Sequence, residues 1–250
     1  MASLAWWLAS RVLYPKLHAT EKEVRGLRYS FSTNAEDLVF ERLLPGPGRY
    51  LEIGGYHPVI SSNTWLLYRQ GWSGWVVEPN PGLSEAWVSR RPKDQLIRAA
   101  VGARDGEVWY DEVRPHDSAN RIRSLDTERT PGSWRSTRIP MLSFGSLCKK
   151  RKIPMEEIRL LAVDAEGQDA AILASIDWKN FRPEVVLAEG LGSENQKEIR
   201  AILEKAGYEF YGRSGYEDDP QAGVSMFFWL PEKVVNSAYR GRVEGILARS

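Results

Sequence analysis

The chain has 250 residues, 42% hydrophobic and 27% charged, with no internal repeat and no low-complexity tract. That composition excludes a disordered or fibrous chain and supplies enough apolar residues for a large core. A formal net charge of +1 gives no overall field to attract nucleic acid, and the single cysteine, Cys148, leaves no internal disulfide, which fits a reducing, cytoplasmic setting.

The chain opens on MASLAWWLASRVLY, an apolar, Trp-rich run too short to span a bilayer and without the basic start of a signal peptide. Residues 1–28 are expected to form a helical extension that packs on the domain or a partner subunit. The alternative is a peripheral membrane anchor with Trp6 and Trp7 at headgroup depth. The main domain is expected over 29–250.

Residues 33–44 carry Leu38, Val39, Leu43 and Leu44 at helical spacing, with Thr33 or Asn34 as cap and PGPG as stop. RYLEIGG (49–55) predicts a buried strand. SSNTWLLYRQGW predicts a helix with a serine cap and Gly71 at its end. WVVEPNP is a second strand, 83–90 a helix, and QLIRAAVG a third strand. Residues 104–140 are polar, and they predict one strand, EVWYDEV, and a long loop of the kind that forms lids. Its arginines, Arg121, Arg123, Arg129, Arg135 and Arg138, are expected in a solvated loop rather than at a phosphate. A helix over 143–152, a strand in IRLLAVDAEG, a helix in DAAILASI, a strand in PEVVLAEG and an amphipathic helix closed by Gly207 follow. YEFYGR and GVSMFFWL end the pattern as two strands without a crossover helix.

Alternating strands and helices argue for a parallel α/β sheet covered on both faces, and the ending argues for an antiparallel last strand. Ligands of such sheets bind beyond the carboxyl ends of the strands. Those ends carry Glu52, Gly54, Gly55, Tyr56 and His57; then Glu78, Pro79 and Asn80; then Ala99, Ala100 and Val101; then Asp164, Glu166 and Gly167; then Glu189. An adenosyl ligand suits the first three. The glycines permit close approach, Glu78 can accept from two ribose hydroxyls, small residues can face an adenine, and Glu52 can meet an ammonium group. The dinucleotide fingerprint G-x-G-x-x-G is absent, and Pro58 stands where a pyrophosphate-binding helix would start. This disfavours an NAD-dependent dehydrogenase.

Four segments together resemble the FkbM family of methyltransferases: YSFSTNAEDLVF (29–40), LEIGGYHPVISSNTWLLYRQGWSGWVVEPNPG (51–82), LLAVDAEGQDAAIL (160–173) and RPEVVLAEG (182–190). The chain departs from the family pattern at Phe31 and Tyr56, which bear on the acceptor side. The resemblance implies a Rossmann-like class I fold with a mostly parallel seven-stranded sheet. It implies S-adenosylmethionine as cofactor and O-methylation of a sugar, glycoconjugate or natural product. It also places Gly54–His57, Asn63 and Thr64 along the cofactor, with Glu36 and Asp37 near its methionine end.

A hydroxyl acceptor must lose a proton, so a base or a metal is expected. His57, Asp164, Glu166 and Glu189 are the candidates for the base. Asp164, Glu166 and Glu189 are also the candidate ligands of a divalent cation such as magnesium. For His57, a structural role beside Pro58 competes with catalysis. Asn120 and His116 lie in the long loop as further candidates to reach an acceptor, and for His116 a surface role is the favoured reading. A catalytically silent adaptor on the same fold is the remaining alternative.

Overall fold

The computed structural model describes residues 30–112, 120–129, 131–133, 135–215 and 223–233. The Trp-rich start, with its expected extension and anchor, lies outside them, as does His116. Among the described residues no helix is long and apolar enough to cross a membrane.

In chain order the elements are α1 (Glu36–Leu43), β1 (Arg49–Ile53), α2 (Trp65–Arg69), β2 (Ser73–Val77), a 3-10 turn Pro81–Leu83, α3 (Ser84–Arg90), β3 (Gln95–Ile97), β4 (Ala100–Gly102), β5 (Gly106–Glu112), β6 (Arg121–Arg123) and β7 (Arg135–Ser143). There follow α4 (Phe144–Arg151), a 3-10 turn Met155–Glu157, β8 (Ile158–Val163), α5 (Asp169–Ala174), β9 (Val185–Leu191), α6 (Gly192–Lys205), β10 (Glu209–Ser214) and β11 (Gly223–Trp229).

The main sheet has seven strands in the order β10-β11-β9-β8-β1-β2-β3. The five from β9 to β3 run parallel, and β11 inserts antiparallel between β9 and β10. This is the expected α/β arrangement. Strand periodicity divides the core in two. Leu51, Ile53, Leu161 and Val163 pack under α4, α5 and α6, while Tyr50, Val76 and Leu160 pack under α1, α2 and α3. Glu52 shares the second face with Tyr50, so it is carried under α2 and α3 and is 2% exposed.

Three local expectations are corrected. First, α1 has no Thr33 or Asn34 cap. Ala35 precedes it with φ 63°, and Asp37 accepts from its own neighbourhood instead. Second, QLIRAAVG is not one strand. The Ala99 N–H turns back onto the Ile97 carbonyl (3.1 Å), which ends β3 in the main sheet and sends β4 into another. Third, residues 104–140 are not one strand and a loop. They contribute β5, β6 and the start of β7 to a second sheet ordered β4-β7-β5-β6. Arg135 to Arg138 give no apolar alternation, so sequence periodicity misses the strand. Cross-strand ion pairs, Arg123 to Asp111 at 2.7 Å and Arg138 to Glu107, accompany the pairing.

Candidate active site

A cavity of about 450 Å³ opens where strand order reverses between β1 and β8, within the ~300–1,000 Å³ range of small-molecule sites. It is walled by the ends of β1, β2, β8 and β9 and by the second sheet.

The β1 end is built by Gly54 and Gly55. Gly54 has φ 83°, and a Cβ there would lie 1.7 Å from the Asp164 carbonyl oxygen. At Gly55 a Cβ would lie 2.3 Å from Val76. Both glycines line the cavity, yet the room they leave is filled by β8 and β2 rather than left to a ligand. They let the strand ends close together.

Tyr56 follows with φ 45°, held by its N–H donating to Glu78 Oε2 (2.7 Å) and its carbonyl accepting from Trp87 Nε1 (2.8 Å). Glu78 Oε1 accepts the Asn80 N–H at 2.7 Å. Each carboxylate oxygen therefore keeps a lone pair for a further donor. Burial raises Glu78 to about 7, opposed by those two N–H groups. Pro79 lines the cavity beside it. Asn80 is buried behind it and caps the Pro81–Leu83 turn through Gly82 N–H at 2.9 Å.

Glu52 and Asn63 also line the cavity. Burial raises Glu52 to about 7, with Arg91 as the largest opposing influence. Thr64 is fully buried and does not line the cavity; its hydroxyl donates to Glu52 Oε2 at 2.6 Å.

The other end of the cavity is acidic. Asp164, Glu166 and Glu189 all line it. Burial holds Asp164 well above the usual carboxylate range, reinforced by Glu189, Asp169 and Glu166. The Asp164 and Glu189 carboxyls hydrogen-bond one another, which requires one proton between them. Burial likewise raises Glu189 to about 7. Among the described residues no protein donor reaches Glu189 Oε2, which is buried. Gly223 admits this carboxylate, since a Cβ there would lie 1.8 Å from Glu189 Oε1. Asp169, fully buried, ties both strand ends by accepting from Ala165 N–H (3.3 Å) and Glu189 N–H (3.2 Å).

Beyond the pair lies a smaller cavity of about 160 Å³, bounded by Thr33, Asn34, Glu36, Ser61, Asn63, Asp164, Glu189, Gly223 and Ser225. Glu36 accepts from Ser225 Oγ at 2.7 Å and from Asn34 N–H at 2.7 Å. Asp37 faces neither cavity. It is fully buried and accepts from Phe31 N–H (2.7 Å) and Ser32 Oγ (3.0 Å), fixing the segment before α1.

His57 is also outside both cavities. Its Nδ1 accepts from Val59 N–H (3.1 Å) and Ile60 N–H (2.9 Å), which places the ring proton on Nε2 and makes the ring a turn-forming group. Among the described residues no three His, Cys, Asp or Glu side chains form a group that could hold a metal ion. That geometry gives no support to the divalent cation expected at Asp164, Glu166 and Glu189.

The wall opposite β1 is Ala99, Ala100 and Val101 with Tyr110, Asn120 and Ile122 from the second sheet. Tyr110 and Ile122 are paired across β5 and β6, so the polar segment builds a cavity wall. Burial pushes the Tyr110 hydroxyl up, and the Glu78 charge acts in the same direction. Sequence reasoning missed Tyr110, Ile122, Ser61, Asp169 and Arg91. Asp169 alone had a local signal, an acid in the first turn after a strand end.

The Methyltransferase FkbM domain matches residues 52–210, more than half of the chain. No curated protein matches it. Similar solved structures include Aeropyrum pernix fibrillarin with natively bound S-adenosyl-L-methionine (14% identity, 78% of this chain and 73% of that one, TM-score 0.44). Another is Burkholderia thailandensis 1,6-didemethyltoxoflavin-N1-methyltransferase with S-adenosylhomocysteine (12% identity, 92% and 91%, TM-score 0.45). A third is Geobacter metallireducens precorrin-6y C5,15-methyltransferase (10% identity, 78% and 88%, TM-score 0.44). With the domain match spanning β1 to β10 and the strand order built for it, the chain belongs to the FkbM family of S-adenosylmethionine-dependent methyltransferases.

Proposed function

We propose that the protein transfers a methyl group from S-adenosylmethionine to a hydroxyl oxygen of a small-molecule or glycan acceptor, a sugar, glycoconjugate or natural product. The observation that carries this reading is the proton-sharing Asp164–Glu189 pair, which borders both the large and the small cavity.

When bound, the cofactor supplies an electrophilic methyl group on sulfur. The large cavity fits it. Glu78 keeps one acceptor site per oxygen for the ribose diol, Glu52 faces the ammonium group, and the Ala99–Val101 strip with Tyr110 and Ile122 takes the adenine. The small cavity receives the acceptor. At about 160 Å³ it lies below the ~300 Å³ at which drug-sized sites begin, so it admits one ring or a protruding terminus. Its hydroxyl and carboxamide groups, Thr33, Ser61, Asn63 and Ser225, suit a polyol.

In the transfer the acceptor oxygen forms a bond to the methyl carbon as the carbon–sulfur bond breaks. The hydroxyl proton passes to the ionised member of the Asp164–Glu189 pair, and S-adenosylhomocysteine leaves neutral at sulfur. Alignment of oxygen, carbon and sulfur is the main work, and the pair removes the proton. No metal is assigned a part.

The test is methyl-labelled S-adenosylmethionine offered with panels of polyols, glycosides and amines, with products resolved by NMR. O-methyl products are expected. N-methyl products alone would replace the hydroxyl reading. Cofactor binding without transfer to any panel would favour the silent adaptor.

A further inference from the structure

Arg91 lies just past α3, does not border either cavity, and is 1% exposed. A buried guanidinium is tolerated only when its donors are satisfied. Here all five are committed. Nε donates to Asp94 Oδ2 (2.6 Å), Nη1 to Ser62 Oγ (3.2 Å) and the Pro58 carbonyl (3.4 Å), and Nη2 to Tyr50 Oη (2.6 Å) and Thr64 Oγ1 (2.7 Å). The rings of Trp87, Tyr68 and Tyr50 lie around it at 4.6 to 5.4 Å.

These bonds have a direction. Arginine only donates, so the Thr64 oxygen must accept from Nη2. A hydroxyl has one proton, and that proton is then committed to Glu52 Oε2 at 2.6 Å. Tyr50 repeats the pattern, accepting from Nη2 and donating to Asp94 at 2.7 Å. Glu52 Oε2 is thus held as an acceptor from behind, which leaves Oε1 for the cavity. The Ser62-Asn63-Thr64 run divides its labour accordingly. Ser62 and Thr64 turn inward to Arg91, and Asn63 between them borders the cavity.

We propose that Arg91, acting through Thr64, is the positioning residue that keeps Glu52 ionised and aimed at the cofactor's ammonium group. The inference rests on the cofactor occupying the large cavity. Among the described residues Glu52 answers to few other charges. Arg91 and Asp94 face it from beyond α3, Glu78 from the end of β2 and Tyr50 from its own strand, and Arg91 is the one cation among them. With Glu52 raised to about 7 by burial, its ionisation in the working range depends on that backing. The sign follows: a carboxylate that must be charged to bind an ammonium group binds better as pH rises through its pKa.

The experiment is calorimetric titration with S-adenosylhomocysteine from about pH 6 to 8.5, on the wild type, Thr64→Val, Thr64→Ser and Glu52→Gln. Wild-type affinity is expected to rise across that range and Glu52→Gln to remove the rise. Thr64→Val keeps the shape of the side chain and loses the relay, so its rise moves to higher pH, leaving binding about tenfold weaker at pH 7 and partly restored at pH 8.5. Thr64→Ser restores the wild-type profile. A Thr64→Val protein that is weaker by the same factor at every pH, or that matches the wild type throughout, overturns the inference. A wild type that does not bind at any pH overturns the cofactor reading instead.

Discussion

Two sets of carboxylates share one cavity and differ in what stands behind them. Glu52 is backed by a guanidinium through a single hydroxyl. Asp164 is backed by other acids: Glu189, Asp169 and Glu166 are the charges that act on it. Burial raises both sets, yet the consequences separate. A carboxylate with a fixed cation behind it is drawn toward its charged form, the form that holds a cationic group. Carboxyls that face one another must keep a proton between them, and can give or take one near neutrality. Proximity of acids in a cavity does not by itself define a role; the second layer of residues does.

The comparison is broken most severely at Asp164. Asp164→Asn removes the shared proton but keeps the shape, so methyl transfer should fall by ~10²–10⁴-fold while S-adenosylhomocysteine still binds. In the wild type the rate should rise with pH through about 7, where Glu189 sits, because the first proton to leave creates the base. That rise should be displaced in Asp164→Asn, because Glu189 keeps its buried carboxyl and loses the acid with which it shares a proton. Steady-state rates with the acceptor found in the labelling screen, measured beside calorimetric affinity, decide it. Equal loss of rate and affinity would mean that Asp164 serves the cofactor.

Gly54→Ala attacks the seam between the two sets. A methyl group would meet the Asp164 carbonyl in a backbone conformation with φ 83°, so stability should drop by about 3 kcal/mol on urea unfolding. A drop within about 0.5 kcal/mol would mean that the strand ends are less tightly joined than their geometry indicates. The smallest expected effect comes from metal removal. The acids pair with each other and form no three-ligand group among the described residues, so exhaustive chelation should leave the rate unchanged. A rate abolished by chelation and restored by magnesium would return Asp164 and Glu189 to the role of metal ligands.

The main sheet was legible in the sequence because its strands are short apolar runs that end in glycine, proline or acids. Glu52, Gly54, Glu78, Asp164 and Glu189 were legible for the same reason, since a strand's end fixes which residues reach the cavity. Thr64, Asn80, His57 and Asp37 sit in matching segments but face away from both cavities, and their roles depend on side-chain direction. Arg91 stood beyond the end of a surface helix in RRPKD and carried no sign of burial. Tyr110 and Ile122 belonged to a segment too polar to show its strands.

The sequence by itself determined the α/β order, the antiparallel close and the carboxylates at the strand ends. These follow from local periodicity and from turn-forming residues, which act over a few positions. Only the tertiary structure decided which acid meets arginine and which meets another acid. Those partners lie 25 to 39 positions apart and come together through the register of parallel strands, a property of the packed sheet that no local pattern encodes.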